Sequence, residues 1–346
     1  MKKTKSFILI ITTAILFYNC ESNTEDLTTD PIGDPQEDSV LNRNLSFEEV
    51  YAFEDDLLGG PYIGMTYSSN DNNLFISSRE NAPAGSTTEE EVFKLSLDSY
   101  QLMRKNVSPG GFITKQLTTI NDTLVSIGGT EFKFYDTSFE YAGEKSYGNN
   151  FTLSKFGIAT HNNDTYIIGG YRVDGPSREN KKIRKLRGNI TGNQFEEFIN
   201  TSETMIGASG AIVNERLHVF GGALYEDFEA TNKIFIYPLN NPQSYEEFSM
   251  TVKADVTFVH KYGEMILVAG HKGLYGTDKT SFVGLFDTTT NTFEEIKTNL
   301  DSESGTKAIH QMIVKEDKII VLFGHKASSQ LPMSKWSILS ADLLKD

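Results

Sequence analysis

The chain has 346 residues, of which 38% are hydrophobic and 11% aromatic, enough for a sizeable core with a lean toward β-structure. Its formal net charge of −15 disfavours a phosphate-backbone partner and sets nucleic acid aside. A single cysteine excludes an internal disulfide, so stability has to come from core burial and strand pairing.

Residues 1–19 read as a signal peptide. Lys2, Lys3 and Lys5 form a basic start, and Phe7 to Tyr18 form an apolar run too short for a stable membrane span. A cut after Asn19 leaves 29 basic against 47 acidic side chains, or −18, which favours solubility and self-repulsion. The segment Phe17-Tyr18-Asn19-Cys20 resembles a lipobox, with Phe in place of the usual Leu and Asn in place of Gly or Ala. Loose boxes of this kind resemble those of Bacteroidota-type lipoproteins, and Glu21, Glu25 and Asp26 resemble their surface-export signal. The resemblance implies lipidation at Cys20, a membrane anchor, and an address in the cell envelope at the outer membrane or cell surface. An uncleaved anchor, or a secretory signal with a chance cysteine, is the plainer alternative. Residues 21–43 are poor in large apolar groups and cannot offset their ordering entropy. Residues 20–44 are therefore expected to be a lipidated cysteine and an acidic tether, and residues 45–346 the globular part.

Two phrases recur from there on. One is an apolar strand ending in Gly-Gly or a variant, with end positions Ser78, Gly129, Gly170, Gly222, His271 and His325, spaced 51, 41, 52, 49 and 54 residues apart. Each strand follows a polar turn such as Asn162-Asn163-Asp164 or Glu316-Asp317-Lys318, and most have another apolar run upstream, which is a hairpin pattern. Third strands follow at Lys233–Leu239, Ser281–Asp287 and Lys335–Ala341. The second phrase is aromatic-Glu-Glu-apolar, starting at Phe195, Tyr245 and Phe293, 50 and 48 residues apart. Four short strands per unit of about 50 residues is the signature of a β-propeller blade.

These residues resemble the kelch family. The Gly pairs 128–129, 169–170 and 221–222 match its motif, Asp287 fits the polar residue ending a third strand, and Phe195, Tyr245 and Phe293 stand where kelch repeats carry Trp. No unit has that Trp, and Trp336 lies on a third strand instead. The resemblance implies an all-β, six-bladed kelch-like propeller with four antiparallel strands per blade. A fourth copy of the second phrase, Phe47-Glu48-Glu49-Val50, explains the last unit. The Gly-Gly position leads to the aromatic by 22 to 25 residues elsewhere, which after His325 runs off the chain. Phe47 stands 31 residues before Ser78, inside the 26 to 32 found between the other aromatics and the next Gly-Gly position. The strand Leu45–Phe53 is therefore expected to close the ring beside the last blade. The glutamate pairs are expected to form a solvated acidic rim.

Propellers usually bind at the face carrying the loops after strands two and four. Candidate ligand-binding residues there are Arg79, Tyr171, Arg172, Tyr225, His271, Tyr275 and His325, with Lys115, Lys155 and Lys307 at the starts of inner strands. Tyr faces and cationic donors suit sugars and carboxylates. Taken singly, each is equally a solvated loop residue. No metal or cofactor is implied. Phosphate-loop, dinucleotide, nucleophile-elbow and calcium-loop motifs are missing, and the lone Cys20 excludes the Cys–Tyr chemistry of kelch-type copper radical oxidases. The expected function is a lipid-anchored binding module for a glycan, a small acidic ligand or an envelope protein. The alternative is a sugar-acid mutarotase resembling the six-bladed sialic acid mutarotases, with His310, Arg172 and Asp255 as acid–base and orienting candidates. The sequence carries no reading of oligomeric state.

Overall fold

Short runs of β-branched and aromatic residues, broken by two-residue turns, dictate antiparallel meanders, and the computed structural model shows them throughout. It describes residues 41–54, 64–68, 72–79, 89–109, 116–120, 123–128, 131–136, 139–146, 153–162, 164–172, 179–186, 195–272, 280–300, 307–325 and 335–345. The leader, Cys20 and the tether to residue 40 lie outside the described residues. Among those described, no helix is long and apolar enough to cross a membrane.

The N-terminal segment forms β1 (Asn44–Leu45) and β2 (Glu48–Glu54). The first meander is β3 (Met65–Ser68), β4 (Asn73–Arg79), β5 (Glu89–Ser96) and β6 (Leu102–Pro109). The second is β7 (Gln116–Ile120), β8 (Thr123–Ile127), β9 (Glu131–Tyr135) and β10 (Tyr141–Ser146). Then come β11 (Leu153–Ser154), β12 (Gly157–His161), β13 (Asp164–Ile168), β14 (Tyr171–Arg172), β15 (Lys182–Leu186) and β16 (Phe195–Asn200). The third meander is β12-β13-β15-β16, and β11 pairs with β14 beside it. One eight-stranded sheet contains β17 (Ser209–Val213), β18 (Arg216–Phe220), β19 (Thr231–Pro238), β20 (Glu246–Tyr262), β21 (Met265–Lys272), β22 (Thr280–Asp287), β23 (Thr292–Thr298) and β1. The last sheet is β24 (Lys307–Lys315), β25 (Lys318–His325) and β26 (Lys335–Asp342), joined by β2.

The 17-residue β20 serves twice. Its first residues pair with β19 as a fourth strand, and its last residues pair with β21 as a first strand. Buried apolar side chains form six clusters among the described residues, each made by neighbouring four-strand sets. One joins the last set to the first, with Trp336 and Leu322 against Leu74 and Phe93.

The Gly-Gly phrase has a mechanical reason. Gly169 and Gly170 both have left-handed φ (+58° and +77°), and the Gly170 N–H donates to the Met205 carbonyl on the approach to the next set. Gly222 repeats this toward Ala254 at 2.9 Å.

The N-terminal segment differs from expectation in detail. Leu41 bridges Leu344, and the Asn42 N–H donates to the Leu343 carbonyl. Phe47 lies in neither strand. It is the crossing point between β1, which runs parallel to β23, and β2, which runs antiparallel to β26. The Asn299 side chain grips it there, accepting from the Phe47 N–H and donating to its carbonyl, both at 2.9 Å. The glutamates of the recurring phrase are exposed but partnered. Glu197 pairs with Lys182, Glu246 with Arg216, Glu295 with Lys272, and Glu49 accepts from the Ser337 hydroxyl at 2.6 Å.

Candidate functional site

Each four-strand set contributes its first strand to one cavity of about 440 Å³. The six strands are β3, β7, β12, β17, the end of β20, and β24. The lining runs from Gln116 and Gln311 to His161, Asn162 and Lys261. It therefore lies toward the ends of those strands that lead into second strands, at His161 and Lys261. Gln116 and Gln311 bridge at the inner level: Gln311 Nε2 donates to Gln116 Oε1 at 3.3 Å, and Gln116 Nε2 donates to the Phe156 carbonyl at 3.1 Å.

Two imidazoles reach this space. His161 ends β12 beside a left-handed Asn162, and its Nε2 lies 2.8 Å from Glu215 Oε1. His260 stands near the end of β20, its ring 6.4 Å from that of Tyr67 on β3, and its Nδ1 donates to the Lys261 carbonyl at 2.9 Å. Burial pushes the His260 imidazole below its ordinary value, with the bond to that carbonyl opposing. The hydroxyls of Thr66, Thr118, Thr160 and Ser209 supply further polar groups. Among the described residues, the lining contains no Asp or Glu, in a chain with 47 of them.

The residues singled out from the sequence fall into three groups. Lys155, Tyr171 and Tyr225 do gather at the loop end. Lys155 has a left-handed φ of +57°, and its Nζ lies 5.9 Å from both the Tyr171 and Phe228 rings, with the Tyr225 ring 6.1 Å from Phe228. Arg172 is half-buried on β14. Burial, reinforced by the charge of Arg172, pushes the nearby Arg184 guanidinium down to about 10, with Glu197 opposing. Lys307 starts β24 with its Nζ 5.9 Å from the Phe323 ring.

The second group lies inside the fold. Asp255, His271 and His310 are each 2% exposed. Asp255 and His310 occupy β-bulges, where the register slips between Ala254 and Val256 and between Ile309 and Gln311. His310 packs edge-on against Trp336 at 4.7 Å and lies 6.1 Å from His271, whose Nε2 bonds the Ile309 carbonyl. The third group is not described at side-chain level. Arg79 ends β4 and His325 ends β25 opposite Lys307, while Lys115, Tyr275 and Cys20 lie outside the described residues. Among the described residues, no three His, Cys, Asp or Glu side chains are placed to hold a metal ion.

The channel residues were missed because strands carry weaker functional signals than loops. Small polar residues recurring on first strands (Thr66, Thr118, Thr160, Ser209) were the available sign.

No family model and no curated protein sequence matches the chain. Solved structures do: the structure of YjhT aligns over 68% of this chain and 83% of that one, at 11% identity and a TM-score of 0.54. It is one of 618 matching chains, so the likeness selects an architecture and leaves activity open. That architecture is all-β and β-propeller-like.

Proposed function

We propose that the protein is a lipid-anchored, cell-envelope binding module built as a six-bladed kelch-like propeller, which holds a small glycan or acidic ligand in its channel. The observation that carries this reading is the 440 Å³ cavity lined by the first strand of every set, a size and composition typical of ligand sites. Six blades and a closed ring are supported by the six interleaved core clusters and by the pairing of β2 with β26. The Cys20 anchor, the signal peptide and the envelope address rest on the leader sequence. The aromatic and cationic group of Lys155, Tyr171 and Tyr225 is retained as a second contact surface, for a longer glycan or an envelope protein.

The test is a glycan array and pull-down with the wild type and with Thr160→Trp, which fills the channel mouth. Hits retained by Thr160→Trp place binding elsewhere and refute the channel reading. For the anchor, Cys20→Ser is followed by cell fractionation. A variant that stays with the membrane refutes lipidation at Cys20.

A sugar-acid mutarotase is the second reading, favoured by the two imidazoles on the channel, one backed by Glu215. Proton transfer to and from a ring oxygen needs one such group within reach. Freshly dissolved sialic acid is mixed with the protein and anomer exchange followed by NMR. Unchanged exchange removes this reading.

A further inference from the structure

We propose that the turn-end channel binds a small hydroxylated anion together with a proton, His260 being the group that receives the proton. This rests on the channel reading above and goes beyond it by naming the charge of the ligand and its coupling to pH.

In a protein of net charge −15, chance would put carboxylates on a lining of this size, yet none is there among the described residues. Among the described residues that line the cavity, the titratable side chains besides His260 are Tyr67 from β3, 6.4 Å away ring to ring, His161 from β12 and Lys261 from its own strand, while β7, β17 and β24 contribute none. On β21, which is hydrogen-bonded to β20, the residue opposite His260 is the apolar Leu267. Described acids in the turns at this end include Glu215, engaged with His161, Glu264, which accepts from Asn214 Nδ2, and Asp317, which accepts from Tyr262 Oη at 2.7 Å.

The consequence is a mismatch that a ligand can complete. Without a ligand, the described lining gives an imidazolium at His260 no carboxylate counter-charge, and burial lowers the proton affinity of the ring. A bound carboxylate supplies the missing charge inside the protein, where opposite charges attract more strongly than in bulk water. His260 then gains a proton as the anion arrives. Lys261 adds a fixed positive charge at the mouth, and the Thr and Ser hydroxyls bond hydroxyl groups on the ligand. Sugar acids and other hydroxy acids satisfy all three. A dication or an apolar ligand satisfies none.

The sign follows from linkage. His260 has a low proton affinity when the channel is empty and a higher one when an anion sits beside it. Binding therefore takes up protons and tightens as pH falls. Between about pH 7.5 and about pH 5.5 the affinity is expected to rise on the order of tenfold.

The experiment uses D-glucuronate as the probe, D-glucose as its uncharged counterpart, and calorimetry in two buffers of different protonation heat, which counts protons taken up. Expected are proton uptake, a Kd that falls with pH, and weaker binding of glucose. His260→Gln, which keeps hydrogen bonding but cannot be charged, is expected to lose the rise in affinity toward low pH and the proton uptake. NMR of the His260 ring, with and without glucuronate, reads the same proton without a variant. Glucuronate binding of equal strength across this range, or an unshifted His260 titration on binding, overturns the linkage alone. Glucose binding as tightly as glucuronate overturns the anion preference. If neither sugar binds at any pH, the channel reading itself falls and this inference falls with it.

Discussion

Gly169 is the position where the Gly-Gly phrase can be tested most sharply. It follows β13 with φ +58°, and a Cβ added there would stand 2.0 Å from the Met205 carbonyl oxygen and 2.9 Å from its carbon. Both obstacles are backbone, and the backbone is held. The Gly170 N–H donates to that same Met205 oxygen at 3.0 Å, while Asn180 Nδ2 donates to the Gly169 carbonyl at 2.6 Å. A left-handed conformation costs an L-residue about 1 kcal/mol. Forcing packed backbone apart adds about 1–3 kcal/mol. Gly169→Ala should therefore destabilise by roughly 2–4 kcal/mol, out of a total on the order of 10 kcal/mol. For a chain of this size that is a fall of roughly 5–10 °C in Tm. Gly263 supplies the control. Its φ is also +58°, but a Cβ there meets nothing within 4 Å, so Gly263→Ala should cost only the conformational part, about 1 kcal/mol. Guanidinium unfolding followed by circular dichroism measures both. Equal losses at the two positions would refute the close-approach reasoning, whatever their size.

Three further outcomes are expected. Burial pushes the fully enclosed His218 imidazole down to about 4 from its ordinary 6.5, while its bond to the Arg216 carbonyl opposes. The unfolded chain takes that proton first, so stability should fall by about 3 kcal/mol as pH drops from 6.5 toward 4 and level off below. His218→Phe should flatten that limb in denaturant titrations run across pH, and an unchanged acid limb would count against it. Asn299→Ala removes two buried-end hydrogen bonds to Phe47, for a loss of about 2 kcal/mol, with faster amide exchange along β2 as the specific sign. Gly284→Val should destabilise by about 2 kcal/mol or more, because a Cβ there already lies 2.2 Å from the Phe293 ring; thermal melts read it.

The strand plan was legible because its punctuation is chemical. Polar two-residue turns such as Asn214-Glu215 take left-handed backbone at both positions, and Gly169-Gly170 marks a place where a side chain cannot fit. The third strands ending at Pro238, Asp287 and Asp342 lie within a residue or two of where the sequence put them. What local signals do not encode is partnership. Nothing around residue 250 announces that one strand would serve two sheets, nor that Phe47 would be a crossing point gripped by Asn299. The site was less legible for the same reason. Loop residues such as Tyr225 draw notice by type, whereas His161 and His260 acquire meaning only when distant strands line one cavity.

The shared strand has a mechanical consequence. β20 runs without interruption from Glu246, ion-paired to Arg216 at the outer edge of one set, to His260 on the channel wall of the next. Its 17 residues span roughly 50 Å of contour with no loop to absorb a displacement. It is a lever from sheet edge to cavity wall. A partner that grips the edge at Glu246 and Glu247 pulls on the same length of backbone that positions the imidazole. New chain ends or insertions would be tolerated between β16 and β17, where a connecting segment exists, and not at the equivalent joint within β20.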